Sequence, residues 1–129
     1  MGLFKSLFGT SSDSNNKEDL PWIPLTSESQ LETLVENSNT KPQLIFKHST
    51  RCGISRMTLN QFQAQFPESG LHADLYYLDL LSFRSISNLV AKRFQVFHQS
   101  PQVLIIKNGI AVVNESHGAI NSLNLAQYN

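Results

Sequence analysis

The chain has 129 residues, 40% of them hydrophobic, with ten basic and ten acidic side chains and a single cysteine. That length suits one domain with its own core, and the balanced charge, without a basic block or basic aromatic stripe, argues against nucleic-acid binding. One cysteine excludes an internal disulfide framework and fits a reducing compartment; no apolar run nears the roughly 18 residues of a membrane span and no secretory signal is visible, so the expected location is cytoplasmic.

Met1-Gly2-Leu3-Phe4-Lys5-Ser6 fits the permissive N-myristoylation pattern. The simpler reading is a short sticky turn from Leu3-Phe4 and Leu7-Phe8 ahead of a flexible tail over residues 1–20, because Gly9 to Asp19 holds too little apolar content to repay ordering. One folded domain is then expected over residues 21–129. It opens with Trp22-Ile23-Pro24-Leu25, which suits an edge strand since Pro24 has no N–H for a central ladder.

Ser27 and Gln30 have the spacing of a capping box, and Leu31, Leu34 and Val35 supply one apolar face, which predicts a helix from Ser27 to Asn37. Gln43 to His48, between Pro42 and a polar Ser-Thr pair, reads as a buried strand. Ile54, Met57, Leu59, Phe62 and Phe66 then recur at helical spacing until Pro67, so Cys52 opens a helix directly after a strand. At that junction the free N–H groups of the first turn favour thiolate over thiol. Lys47, His48, Arg51 and Arg56 are close enough in sequence to add positive potential. A lone cysteine is most often an inert small hydrophobe, but its polar, basic flanks and its place at a helix start favour a redox nucleophile.

Cys52-Gly53-Ile54-Ser55 is a C-x-x-S motif. Ser55 lies one helical turn on, where its hydroxyl is expected to donate to the sulfur but cannot form a disulfide. A mixed disulfide at Cys52 must therefore be resolved by a thiol from another molecule.

Asp74 to Leu80 reads as a third strand, and Ser82 to Phe94, with Phe83, Ile86, Leu89, Val90 and Phe94 on one face, as a helix. Alternation of strand and helix implies parallel strands with right-handed crossovers. Gln102–Lys107 and Ile110–Asn114 flank Asn108-Gly109, the strongest short hairpin signal, so the last two strands should be antiparallel. A final helix from Gly118 to Gln127 is expected to cover the sheet through Ile120, Leu123 and Leu125. No paired metal-ligand spacing, Ser/His/Asp triad or phosphate-binding glycine loop is visible, and His98 and His117 read as structural hydrogen-bonders.

This order, with a cysteine starting the helix after the second strand and Ser100-Pro101 just ahead of the hairpin, resembles the thioredoxin-like arrangement, a three-layer α/β/α fold whose mixed central sheet ends in an antiparallel hairpin. The resemblance implies a cis bond at Pro101, with the Ser100 backbone beside Cys52 and ready to pair with an extended peptide. More closely, Phe46-Lys47-His48-Ser49-Thr50-Arg51-Cys52 with Ile54-Ser55, then Arg84, Ser87-Asn88, His98-Gln99-Ser100-Pro101-Gln102 and Ser116-His117, is similar to the monothiol bacilliredoxins of the YtxJ type, the bacilliredoxin C family, over about residues 22–127. Gly53 stands where the best-known members have Pro, and Gln99 where Glu is common.

That resemblance implies thiol-disulfide exchange at Cys52 with bacillithiol, a small cysteinyl thiol, as co-substrate and no tightly bound cofactor. Its partners would be bacillithiolated client proteins, a second small thiol and a flavin-linked reductase. Ser55, Ser100 and Pro101 would support the cysteine, while Lys47, His48, Arg51 and Gln102 are candidates to hold the carboxylates and sugar of the thiol. Two rival readings share the fold: an iron–sulfur carrier like the monothiol glutaredoxins, whose Cys-Gly-Phe-Ser differs by one residue, and a redox-inert adaptor. The first lacks support after Asn108-Gly109, where the Gly-Gly and acidic run of those carriers is missing.

Overall fold

A computed structural model describes residues 20–129. The acylation pattern at Met1 to Ser6, the paired Leu-Phe steps and the rest of the expected tail before Leu20 lie outside the described residues. Five strands and three α-helices follow in the order β1 (Ile23–Pro24), α1 (Glu28–Asn37), β2 (Gln43–His48), α2 (Gly53–Gln65), β3 (Asp74–Asp79), α3 (Arg84–Phe94), β4 (Gln102–Lys107) and β5 (Ile110–Ser116). The strands form one sheet in the order β1-β3-β2-β4-β5. β1 and β2 both pair parallel to β3, whereas β4 runs antiparallel to β2 and to β5. The sheet is therefore mixed, with the hairpin at one edge.

All six residues of β2 are buried, as a central strand with both faces covered demands. Because side chains alternate along a strand, Ile45 joins the α1 and α3 layer, with Leu31, Leu34, Ile86 and Val90. Leu44 and Phe46 join the opposite layer, with Phe62 of α2, Ile120 and Leu125. Phe46 meets Phe62 edge-on at 5.3 Å and Trp22 at 6.0 Å. Such aromatic pairs add about 0.5–1.5 kcal/mol each beyond the area they bury. They fix α2 against β2, and so fix where the helix begins.

Three elements differ from expectation, the first being β5, expected to end at Asn114, which runs on to Ser116. The helix expected from Ser82 begins at Arg84, because Asp79 Oδ1 accepts from the N–H groups of Leu81 and Ser82 and holds them in a turn. The final helix is instead two 3-10 segments, His117–Ser122 and Leu125–Tyr128, separated at Leu123 by extended backbone. Gly118, Asn121, Ser122 and Asn124 are weak α-formers, while Ile120 and Leu125 are still buried on the sheet as expected. The hairpin turn places Asn108 and Gly109 at φ 53° and 81°, the left-handed pair an Asn-Gly type I′ turn requires. Ser38 accepts from the N–H of Asn108 and, through its hydroxyl, from that of Gly109, tying the hairpin tip to the end of α1.

Candidate functional site

Cys52 is the N-cap residue of α2, in extended backbone (φ −104°, ψ 120°), with its own N–H donated to Ser49 O at 3.1 Å. No side chain caps this helix. The first-turn N–H groups, which have no partner within a helix, are left facing the position of the sulfur. Cys52 is half-buried and free. Its flanks Arg51, Gly53 and Ile54 are exposed. An anion at that sulfur would meet both the unpaired donors and the positive end of a 13-residue helix.

The peptide bond between Ser100 and Pro101 is cis. The register of β2 with β4 ends at Lys47 opposite Gln102, so Pro101 lies beside His48, at the same sheet end from which the chain leaves toward Cys52. Pro101 O accepts from His117 N–H at 3.0 Å, and Ser100 Oγ is buried without a partner among the described residues.

Ser55 departs from expectation. Its Oγ lies 2.7 Å from His48 Nδ1 and accepts from Ser49 N–H at 3.2 Å, and among the described residues no hydrogen bond reaches the Cys52 sulfur. The hydroxyl is completely buried and turned toward β2. The candidate thiol-binding residues are likewise dispersed rather than gathered. Lys47 follows Ile45 to the α1 and α3 face, where it is fully buried and its Nζ meets His98 Nδ1 at 3.2 Å, with Ser87 Oγ 3.5 Å from the same nitrogen. Burial without a carboxylate partner pulls the Lys47 ammonium down from 10.5 to about 8. Gln102 is also buried, and its amide donates to Phe97 O at 2.9 Å. His48 points to the α2 face and is engaged with Ser55. Arg51 alone of the four is exposed.

Sequence reasoning missed two contacts: His48 with Ser55, and His98 with Lys47. Alternation along β2 carried a signal for both, since adjacent Lys47 and His48 must face opposite layers. Arg56 is exposed and reaches back to Thr50 O at 3.4 Å, staying near the loop that carries the cysteine. Among the described residues no three His, Cys, Asp or Glu side chains are grouped to share a metal ion, and no helix is long and apolar enough to cross a membrane.

A family model described as monothiol bacilliredoxin BrxC matches residues 23–125, a span that holds Cys52, Ser55 and Pro101. The chain belongs to the monothiol bacilliredoxin family. Among solved structures, this bacilliredoxin is 38% identical to a protein described as a candidate oxidoreductase with a thioredoxin fold, with TM-score 0.70 over 81% of this chain and 90% of that one. It also superposes on the thioredoxin of Schistosoma mansoni (19% identity, TM-score 0.65, 84% and 95% covered) and on that of Trypanosoma brucei brucei (13% identity, TM-score 0.61, 83% and 88% covered). Those two likenesses carry the fold alone. The bacilliredoxin therefore has a thioredoxin-like fold, with its single cysteine at the start of α2.

Proposed function

We propose that this bacilliredoxin is a cytoplasmic thiol-disulfide oxidoreductase that removes bacillithiol from mixed disulfides on client proteins, using Cys52 as nucleophile. The observation that carries the reading is the half-buried Cys52 at the uncapped start of α2, on the sheet end that also holds cis-Pro101. The Cys52 thiolate attacks the bacillithiol sulfur of the client. A Cys52–bacillithiol bond forms as the client–bacillithiol bond breaks, and the client cysteine leaves as a thiolate that takes a proton from water. With Ser55 in place of a second cysteine, a second bacillithiol thiolate must attack the bacillithiol sulfur on Cys52. That step frees the Cys52 thiolate and yields bacillithiol disulfide, which a flavin-linked reductase returns to two thiols with two electrons. Exchange of this kind needs an accessible thiolate.

Ser100 and Pro101 receive the incoming chain, whose backbone pairs as an added strand does. Ile54, Met57 and Phe97, 67%, 62% and 90% exposed, offer apolar contact around it. Arg51 meets the carboxylates of bacillithiol; Lys47 and Gln102, enclosed on the opposite face of the sheet, do not. The test is intact-mass analysis after mixing the reduced protein with a client carrying bacillithiol. A bacillithiol adduct on Cys52 with release of unmodified client is the expected result, and excess bacillithiol then restores the starting mass. Failure to form the adduct, with bacillithiol retained on the client, would overturn the reading in favour of an inert adaptor.

A further inference from the structure

His48 closes β2 with its ring on the α2 face, 4% exposed, and Ser55 against it is 0% exposed. A serine hydroxyl has one proton to donate and two lone pairs to accept with. Ser49 N–H already occupies one lone pair of Ser55 Oγ, so the 2.7 Å contact with His48 Nδ1 has two possible forms. With Nδ1 bare, the Ser55 proton is committed to His48. With Nδ1 protonated, Ser55 accepts from both neighbours and its own proton is released. Solvent does not reach that proton. The side chains of an N-cap residue and of the third helical residue meet across the first turn, and those residues here are Cys52 and Ser55.

We propose that His48 is a positioning residue for Cys52: its protonation state, passed on by the Ser55 hydroxyl, sets how strongly the Cys52 thiolate is stabilised. The inference rests on Cys52 being a nucleophile, and not on which small thiol it exchanges with. The arrangement seen makes no hydrogen bond to the sulfur, which is what the committed form requires. In the released form, Cys52 rotates about its Cα–Cβ bond to accept from Ser55.

The groups that face His48 decide where this transition falls. From β3 come the Tyr77 ring, 5.7 Å away between centroids, and the Asp79 carboxylate; from α2 comes Arg56, with Cys52 at its start. β4 brings no charge, since Pro101 lies opposite and Val103 follows on that face. Burial lowers the His48 imidazole from its ordinary 6.5, Asp79 opposes that shift and Arg56 adds to it. The released form therefore gains population as the solution becomes mildly acidic.

The test follows thiolate ultraviolet absorbance and iodoacetamide alkylation of the full chain against pH. For the wild type, the acid limb is expected to carry a second inflection, with thiolate on the order of threefold to tenfold above a single-ionisation curve, as a coupling of half a unit to one unit produces. His48→Asn and Ser55→Ala should each reduce the profile to one ionisation. Coupling is reciprocal, so alkylating Cys52 should shift the His48 ring titration seen by NMR in the wild type and leave it unmoved in Ser55→Ala. Should His48→Asn not fold, the wild-type NMR titration decides alone: a His48 titration untouched by alkylation overturns the proposal, as does one common curve for all three proteins. Neither readout involves bacillithiol, so a negative result here leaves the transfer assay standing, while a negative transfer assay alongside rapid alkylation of Cys52 removes only the choice of small thiol and leaves this coupling.

Discussion

α1 and α2 begin with the same spacing of polar side chains and use it in opposite ways. At α1, Ser27 Oγ accepts from Gln30 N–H at 3.3 Å, and Gln30 Oε1 accepts in return from the N–H groups of Ser27 and Thr26, while its amide donates to Pro24 O. At α2 the corresponding pair is Cys52 and Ser55. The serine, which stands where Gln30 stands, is turned away to His48 and Ser49, and no side chain covers the helix start. One helix start is closed for stability. The other stays open because its N-cap is Cys52, whose side chain makes no cap hydrogen bond, so the first-turn N–H groups are left beside the sulfur.

Cys52→Ser should convert the second kind of start into the first. Bacillithiol transfer is expected to fall to the uncatalysed level in the mass assay, since a serine hydroxyl forms no mixed disulfide. Unfolding by denaturant should show the same variant to be more stable, by about 0.5–1 kcal/mol, because a serine N-cap bonds the first-turn N–H groups. Ser27→Ala should do the reverse at α1, costing about 1 kcal/mol in denaturant unfolding with the alkylation rate of Cys52 unchanged.

The two starts should also respond differently to acid. His48 is lowered from 6.5 chiefly by burial, so the folded state disfavours its charged form. Its contribution to stability is full above 6.5 and lost as pH falls through the lower folded value. Stability measured from neutral to mildly acidic pH should therefore decline less in His48→Asn than in the wild type, while Ser27→Ala keeps the wild-type slope. Smallest of all should be Gly53→Pro. A Cβ at Gly53 meets nothing within 4 Å, and proline suits the first helical position. A gain of about 0.5 kcal/mol, through a stiffer unfolded chain, should appear as a modest rise in Tm.

Local chemistry explains how much of this was legible in the sequence. The capping box at Ser27, the bounds of β2, the Asn108-Gly109 turn and the start of α2 at Cys52 are written in consecutive residues, and each was read correctly. The cis bond at Pro101 came from family resemblance and matches the structure. What stayed hidden depends on contacts across space. Ser55 could be placed one turn from Cys52, but its preference for His48 requires knowing that β2 presents His48 to α2. Lys47 stood as a candidate to hold a small thiol from its closeness in sequence to Cys52, but strand alternation carries it to the other layer. The C-terminal segment kept its buried Ile120 and Leu125 while losing its α-helical form, because burial follows apolar spacing and helix type follows the intervening Gly, Asn and Ser residues.

The enclosed lysine has a consequence for how the molecule tolerates alkali. Its ammonium, lowered from 10.5 to about 8, costs the folded state most at neutral pH. Its contribution to stability is complete above 10.5, shrinks as pH falls toward 8 and is absent below. Denaturation midpoints should accordingly climb as solutions are made more basic from neutrality, and Lys47→Met, which takes the charge out of the sheet, should begin high and stay level.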